Sequence, residues 1–365
     1  MKVLGIDTIL HDACAAVVEN GHKVLSSVVE HTIMESNRLY RLTDLHLNQI
    51  GRVVGKALKK SECRPQDISL IAVNHFGSFF SNVLIGMVAA KTLADIFGKP
   101  LITVHHQEAH YFSNWLERRN RDFKFPILVL SSSGGHSSLV KILDNKLNFK
   151  ELYRIEGMEK KSEIKPNFRG IGAIYGYLAK ALGVGGPIGS APVVSKYAQK
   201  GNKKRFDLVG PLKDFDISRL DFSKMEKLVS SLISKEKRKD GRLSPKFVSD
   251  LAASFEEAMG ELIGSGLIEL AQKEKVREIH LVGGISANDN LRKIIKKKCS
   301  VCGFGFKYPQ KKSYCVDNAA MIASLGYYQY KLLPLAKRKK LFGNEIKIDS
   351  NLRLEEMVLN QRKNV

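Results

Sequence analysis

Residues 13–30, ACAAVVENGHKVLSSVVE, contain two apolar runs that are joined by Glu19-Asn20-Gly21. An Asn-Gly pair between two such runs predicts a β-hairpin, because its tight turn needs positive φ angles that these residues tolerate. A further apolar run at 2–7 precedes a polar loop at 8–12. The chain therefore opens with three linked strands, and the apolar spacing after them predicts a helix at 43–60, a strand at 68–73, a helix at 82–97 and a strand at 101–104.

The same order of elements returns in the second half of the chain. Strands are predicted at 126–132, 137–143 and 147–154, with Ser133-Gly134-Gly135 as the turn between the first two. Helices follow at 171–183, 223–234, 246–275, 288–299 and 317–330, with short strands at 279–282 and 305–308. Repetition of this order predicts two α/β lobes, each built on a mixed sheet.

This duplicated pattern fits the two-lobe, actin-like ATPase fold of actin, sugar kinases and heat-shock ATPases. In that fold class the active site lies in the cleft between the lobes, and the turn after the first strand of each lobe faces the phosphates of a nucleotide. We expect lobe I at residues 1–118, completed by the C-terminal helix at 317–334, lobe II at 119–316 and a basic C-terminal tail at 335–365.

The composition is that of a soluble globular protein, with 44% hydrophobic and 26% charged residues, except for a formal net charge of +22. A basic excess this large favours a polyanionic partner, most simply nucleic acid. No uncharged apolar run approaches the ~20 residues that cross a bilayer, and the first residues predict a strand instead of a signal peptide. We therefore expect a cytoplasmic protein without membrane contact. The basic residues cluster at 203–205, 235–242, 296–298 and 337–340.

Residues 104–110, VHHQEAH, follow a predicted strand and contain a pair of histidines, His106 and His110. If a helix begins here, the two residues are four apart and share a face. Two imidazoles on one face make half of a divalent-metal site, which needs a further ligand. On spacing alone, a metal pair and a packed helix end are equally good interpretations. Asp317 offers a carboxylate at the start of an Ala-rich helix, although its local sequence predicts an ordinary N-cap.

Two glycine turns suit an anion or a ribose. In Ser133-Gly134-Gly135-His136-Ser137 the glycines admit positive φ angles, and successive backbone N–H groups can form a concave set of donors. The stretch 283–288, GGISAN, lies between a strand and a helix, where Ser286 or Asn288 could cap the helix or contact a ligand. Each turn alone is a weak signal. Two such turns in a duplicated fold predict nucleotide binding.

Four motifs in this order, at 104–110, 133–137, 282–292 and 315–323, together closely resemble the TsaD (formerly Gcp) family. The resemblance extends over roughly residues 1–330 by its motifs. Enzymes of this family transfer a threonylcarbamoyl group to N6 of adenosine 37 in tRNAs that read codons beginning with A. The same activity is therefore expected here.

The resemblance implies that His106, His110 and Asp317 hold one divalent metal, Fe²⁺ or Zn²⁺, and act in catalysis. Asp12, in the first predicted turn, is a further catalytic candidate that would orient phosphates or carry a proton. The ligand would be threonylcarbamoyl-AMP or another adenine nucleotide. Its expected contacts are Ser133, Gly134, Gly135, His136, Ser137, Gly189, Gly284 and Asn288.

The resemblance also implies partners. They are tRNA, a threonylcarbamoyl-AMP synthase that supplies the substrate, and a TsaB-like paralogue or other accessory proteins. In this interpretation the basic clusters bind tRNA phosphates, with an affinity that falls steeply as salt rises.

Some residues depart from the family pattern. Gly176 stands where the family usually carries an acidic residue, and Gly186-Pro187-Ile188-Gly189 replaces its Pro-Gly-Gly-Pro turn. Residues 11–16 and 171–175 resemble instead the O-carbamoyltransferases of the NodU/CmcH type, which carbamoylate small molecules. That activity is the first alternative. A non-catalytic scaffold paralogue is the second, and the intact set of metal ligands argues against it.

Overall fold

The computed structural model describes residues 1–9, 12–31, 41–76, 80–133, 136–155, 170–186, 189–236 and 242–341. The chain divides into two compact units. Unit 1 comprises Met1–Asp122 with Pro309–Val365, and unit 2 comprises Phe123–Tyr308. The described part of each unit contains a five-stranded mixed sheet with helices packed on it, which confirms the predicted duplicated α/β class.

The strands are β1 Lys2–Ile9, β2 Asp12–Glu19, β3 Lys23–His31, β4 Leu70–Phe76, β5 Leu101–His105, β6 Ile127–Ser133, β7 His136–Ile142, β8 Phe149–Ile155, β9 Glu278–Val282 and β10 Gly305–Lys307. The helices are α1 Arg41–Lys60, α2 Phe80–Phe97, α3 His106–Phe112, α4 Ile171–Ala181, α5 Ala191–Ala198, α6 Ser223–Glu236, α7 Pro245–Lys273, α8 Asp289–Val301, α9 Ala319–Leu332 and α10 Leu335–Lys340.

The sheet of unit 1 has the order β3-β2-β1-β4-β5. Strands β1, β2 and β3 pair antiparallel, whereas β4 and β5 run parallel to β1. The predicted hairpin between β2 and β3 is confirmed, since Asn20 and Gly21 both have positive φ angles, of 53° and 73°. Every residue of β1 from Val3 to Ile9 is buried, because helices cover both faces of the sheet.

One glycine lets helix α9 approach β1 closely. Leu4 and Ile6 pack with α1 and α2 in one apolar core, so alternation puts Gly5 and Asp7 on the opposite face. A Cβ atom on Gly5 would lie 2.2 Å from the carbonyl oxygen of Ala319, at the start of α9. Glycine is therefore required there, and the N-terminus of α9 rests directly on the strand that carries Asp7.

The sheet of unit 2 has the order β10-β9-β6-β7-β8, with β6 parallel to β9 and antiparallel to β7. The segments that follow β6 and β9 are therefore neighbours at one edge of the sheet. Gly283, just after β9, has a φ of 78°, and a Cβ atom there would lie 2.4 Å from the carbonyl oxygen of Ser132. This contact brings the second predicted glycine turn against the end of the strand that leads into the first.

Several predicted boundaries were wrong. Strand β1 extends to Ile9 and β2 begins at Asp12, so Asp12 belongs to a ladder in which it pairs with Ile9, and the loop predicted at 8–12 is shorter. The helix predicted at 317–330 begins at Ala319, after Asn318. Helices α5 and α10 were not predicted, because the former follows an irregular Gly/Pro stretch and the latter has only six residues, four of them basic. None of the helices in the described ranges has the length and apolar character that crossing a membrane requires.

Candidate active site

The junction of β5 and α3 determines where the paired histidines lie. His105 is the N-cap of α3, and its Nδ1 accepts a hydrogen bond from the backbone N–H of Gln107 at 3.1 Å. The helix therefore begins at His106 and puts His110 one turn later on the same face. Both rings are buried, with centroids 4.8 Å apart and planes at 85°. The predicted spacing on one face is present.

Asp317 meets both histidines. Its Oδ1 lies 3.2 Å from Nε2 of His110 and 3.5 Å from Nε2 of His106, and the three ligand atoms lie within 4.8 Å of one another. Within the described part of the chain, Asp317 Oδ1 and both ring nitrogens of His110 have no hydrogen bond of proper geometry. Buried polar atoms that converge without satisfying each other are suited to a shared cation. The three residues could therefore hold a metal ion.

Asp317 is not the helix N-cap that its local sequence predicts. The cap of α9 is Asn318, whose Oδ1 accepts a hydrogen bond from the backbone N–H of Met321 at 3.1 Å. The physical reason is that Asn318 has the extended backbone of a cap residue and supplies the same acceptor one position later. The carboxylate of Asp317 is therefore free of the helix terminus and available to the imidazoles.

Opposite charges dominate the electrostatics of this cluster. Burial alone would lower the pKa of His106, but the carboxylates of Asp7 and Asp317 outweigh it and raise the pKa to about 10. Burial would likewise raise the pKa of Asp317, but the imidazoles of His106 and His110 hold it well below its usual range. The cluster thus favours positive charge at its centre, which a proton on His106 or a divalent cation could supply.

Asp7 was not predicted as a site residue. It is fully buried in β1, burial raises its pKa, and its Oδ2 lies 3.1 Å from Nδ1 of His106. A signal was present in the sequence: an acidic residue lies in an otherwise apolar strand, two positions after Gly5. The pairing of Asp7 with a histidine 99 positions away had no local signal.

Asp12, the further catalytic candidate, lies at the start of β2. Its carboxylate is 2.7 Å from Nδ1 of His31, the residue opposite it on β3. The carboxylate of Asp12 is therefore held by a residue of the neighbouring strand, and Asp12 itself lies in a strand.

The first glycine turn of unit 2 is described at its two ends. The backbone pairs Ser133 with His136, and the hydroxyls of Ser132 and Ser137 lie 2.9 Å apart. His136 begins β7 instead of belonging to the turn. Gly134 and Gly135, both predicted to contact nucleotide, lie outside the described residues.

The second glycine turn ends in a partly buried polar cluster. Gly284 opens a 3-10 turn, Gly284–Ala287, and Asn288 caps α8 by accepting from the N–H of Leu291 at 3.0 Å. The Nδ2 of Asn288 donates to Glu256 Oε1 at 2.6 Å and lies 3.2 Å from the Ser195 hydroxyl, which itself donates to Glu256. Burial raises the pKa of Glu256. The predicted capping role of Asn288 is present.

Glu256 and Ser195 were missed as neighbours of this turn. Glu256 follows Phe255 on the buried side of α7, and an acid in such a position was a usable signal. Ser195 lies on α5, which was not predicted. Gly189, the remaining predicted contact, lies just before α5 with a φ of 69°.

The two sheets and their helices define the class of protein, a duplicated α/β protein of the actin-like ATPase fold, with a histidine–aspartate cluster able to hold a metal. The fold is similar to the crystal structure of the Acidaminococcus fermentans (R)-2-hydroxyglutaryl-CoA dehydratase component A. The TM-score is 0.51 at 15% identity, and the match covers 90% of this chain and 98% of that chain.

Sequence comparison gives the family. The model of the family described as "TsaD: tRNA N6-adenosine threonylcarbamoyltransferase" matches residues 41–324. A tRNA N6-adenosine threonylcarbamoyltransferase from Caldicellulosiruptor saccharolyticus is 30% identical, over 90% of this chain and 93% of its own length. One from Syntrophomonas wolfei is 31% identical, over 90% and 92%. The chain belongs to the TsaD family and is an acyltransferase, which confirms the resemblance seen in its motifs.

Proposed function

We propose that this protein transfers the threonylcarbamoyl group from threonylcarbamoyl-AMP to N6 of adenosine 37 in tRNAs that read codons beginning with A. We propose further that a divalent metal, Fe²⁺ or Zn²⁺, assists the transfer. The observation that carries the proposal is the convergence of His106, His110 and Asp317 in a chain of this family. The buried, unsatisfied atoms of His110 and Asp317 support a cation as their partner.

The donor set suits this chemistry. Two imidazoles and one carboxylate are ligands that both Fe²⁺ and Zn²⁺ accept, and three protein ligands leave further coordination positions open. A metal held there supplies Lewis acidity, which polarises a carbonyl or phosphoryl oxygen. His106 and His110 would bind it through Nε2 and Asp317 through its carboxylate.

The reaction itself is an acyl transfer. The N6 amine of adenosine attacks the carbonyl carbon of the threonylcarbamoyl group, a C–N bond forms, the C–O bond to phosphate breaks and AMP leaves. The attacking amine loses a proton. Asp12 is the candidate to carry that proton or to orient the phosphates, and its pairing with His31 supports a fixed carboxylate in that role.

The turns of unit 2 are proposed to hold the adenylate. The candidate contacts are Ser133, Gly134, Gly135, His136, Ser137, Gly189, Gly284 and Asn288. Their support is the close approach of Gly283 to Ser132 and the N-terminus of the 13-residue helix α8 directly after the second turn. Backbone N–H groups at a helix N-terminus favour phosphate oxygens.

The proposed partners follow from the substrates. The tRNA would be bound through basic residues, of which those at 203–205, 296–298 and 337–340 lie in the described ranges and those at 237–241 do not. A threonylcarbamoyl-AMP synthase would supply the acyl donor. A TsaB-like paralogue or other accessory proteins would complete the active assembly.

The test combines purified protein, threonylcarbamoyl-AMP and a tRNA that reads codons beginning with A, with and without a TsaB-like partner. Digested nucleosides are then analysed by mass. We expect threonylcarbamoyladenosine from the native chain and at least a 100-fold loss with His106→Ala, which should also lose metal while keeping its circular dichroism spectrum. Activity that survived in metal-free protein would refute the metal assignment. No product from protein that binds metal and nucleotide would favour carbamoyl transfer to a small molecule, and binding of neither would favour a scaffold.

A further inference from the structure

The two edges of the His106 ring face different carboxylates. Nε2 lies 3.5 Å from Oδ1 of Asp317, on the side where the three candidate ligands converge. Nδ1, on the other edge, lies 3.1 Å from Oδ2 of Asp7. Asp7 is therefore not one of the converging ligands. It contacts the histidine from behind, at the nitrogen that would not bind the metal.

We propose that Asp7 is a positioning residue, which holds His106 in the tautomer with a proton on Nδ1 and directs the lone pair of Nε2 toward the metal position. The two tautomers of an imidazole are close in free energy, so the hydrogen bond at one nitrogen determines which nitrogen is available for a metal. A buried carboxylate accepts only from a protonated nitrogen, and it also makes the imidazole a more basic ligand. This role rests on the proposed metal-assisted function and identifies a group that supports it.

The paired histidines differ in this respect. Among the described residues, Nδ1 of His110 has no hydrogen-bond partner, whereas Nδ1 of His106 has Asp7. His106 is thus the ligand whose ring orientation is set in advance. The ring of His110 contacts Asp317 and the His106 ring, but no carboxylate lies behind it at Nδ1 among the described residues.

The environment of Asp7 argues against a purely structural role. The residue is fully buried, yet its Oδ1 has no hydrogen-bond partner among the described residues. A buried carboxylate that uses one oxygen and leaves the other unsatisfied costs stability. An asparagine in the same space would lower that cost. The unsatisfied oxygen of Asp7 adds nothing to the stability of the fold. An acid at this position is therefore consistent with a role in the charge and orientation of His106.

The experiment measures metal affinity in metal-stripped, full-length protein. Zn²⁺ binding is determined by competition with a chromophoric chelator, and Co²⁺ binding by visible absorption, which reports coordination geometry. For Asp7→Asn we expect Zn²⁺ affinity to fall about 10- to 100-fold and the Co²⁺ spectrum to change. The thermal midpoint of the metal-free protein should stay equal or rise.

Glu278→Gln is the matched control, because Glu278 is also a buried acid, with its Oε1 2.6 Å from Nε2 of His280 in unit 2. It should bind Zn²⁺ as tightly as the native chain. A second arm introduces Asp7→Asn into His106→Ala. If Asp7 acts through His106, the added change should not weaken the residual metal affinity further.

The outcomes separate the two proposals. Equal Zn²⁺ affinity and identical Co²⁺ spectra in the native chain and Asp7→Asn would overturn the role of Asp7 and leave the metal centre intact. A further loss of affinity in the His106→Ala background would also overturn it, because Asp7 would then act by charge alone. A native chain that binds neither metal would overturn the metal centre and the role of Asp7 with it.

Discussion

Two histidine–carboxylate clusters, one in each unit, differ in how completely the oxygens of the carboxylate are paired. In unit 2, Oε1 of Glu278 lies 2.6 Å from His280 and Oε2 lies 2.8 Å from Nζ of Lys307. Both oxygens of this carboxylate therefore have partners, and the lysine balances its charge. In unit 1, the Oδ1 atom of Asp317 and both ring nitrogens of His110 have no hydrogen bond among the described residues.

The comparison teaches that burial and residue type do not identify a metal site. In both clusters the histidines are buried, and both combine an imidazole with an acid. The difference is that both oxygens of Glu278 have hydrogen-bond partners within the protein, as in a structural ion pair, whereas Oδ1 of Asp317 and Nε2 of His110 face each other without a hydrogen bond of proper geometry. Unfinished pairing at a point of convergence is the feature that indicates a ligand.

The largest effect is expected from two substitutions that distinguish the role of Asp317 from that of its neighbour Asn318. Asp317→Ala removes a proposed ligand, so we expect metal content after dialysis to fall below one tenth of the native value, with helix content unchanged. Asn318→Ala removes the cap of α9 and should cost about 1 kcal/mol of stability while metal content is retained. Metal analysis and urea unfolding of both variants test this. If the Asp317→Ala variant retained its metal, the distinction drawn between the clusters at Asp317 and at Glu278 would be wrong.

The second effect concerns Glu278, whose role should be stability alone. Glu278→Gln weakens a buried ion pair and is expected to cost about 3 kcal/mol at pH 7, without loss of metal. Urea unfolding and metal analysis measure the two quantities. A loss of metal in this variant would contradict the assignment of Glu278 to structure.

The pH dependence of the stability lost in Glu278→Gln follows from the pKa of Glu278. Burial alone would raise it, but His280 and Lys307 outweigh burial and lower the pKa from its ordinary 4.5. Since the folded pKa is depressed, the stabilisation is fully present above the unfolded value and is lost as pH falls through the lower folded value. The difference in unfolding free energy between the native chain and Glu278→Gln should therefore shrink below about pH 4.5. A difference that stayed constant down to the acid limit of folding would contradict this.

The smallest effect is expected for the basic residues of α10, which also differ in whether they have partners within the protein. In α10, the guanidinium group of Arg338 donates hydrogen bonds to the backbone carbonyls of Leu333 and Lys331, at 2.9 and 2.7 Å. Lys337 and Lys339 form no ion pair among the described contacts. Changing both lysines to Ala should weaken tRNA binding about 3- to 10-fold and reduce its salt dependence, whereas Arg338→Ala should act mainly on stability. Filter binding between low and moderate salt measures this, and unchanged binding by the double variant would exclude these lysines from the tRNA surface.

Much of the fold could be predicted because its signals are local. The Asn20-Gly21 turn, the apolar spacing of α1 and α7, and the run of small and apolar residues in α2 each lie within one element, and the structure has these elements within a few residues of the predicted bounds. The order of the motifs also sufficed to identify the family, since motifs are properties of the chain. The spacing of His106 and His110 is equally local, because one helical turn determines it.

The rest depended on contacts between distant residues. The sequence could state that Asp317 is an acid before a helix, but only the packing of α9 on β1, through Gly5, brings it to the histidines. Asp7 and His106 are 99 positions apart, and Glu256 and Asn288 are 32 apart. Periodicity carries no information at those separations, because such contacts are set by how helices and strands pack. The sequence by itself therefore determined most of the elements, the family and the candidate ligands. The tertiary structure decided which polar atoms are paired and which converge where a metal could bind.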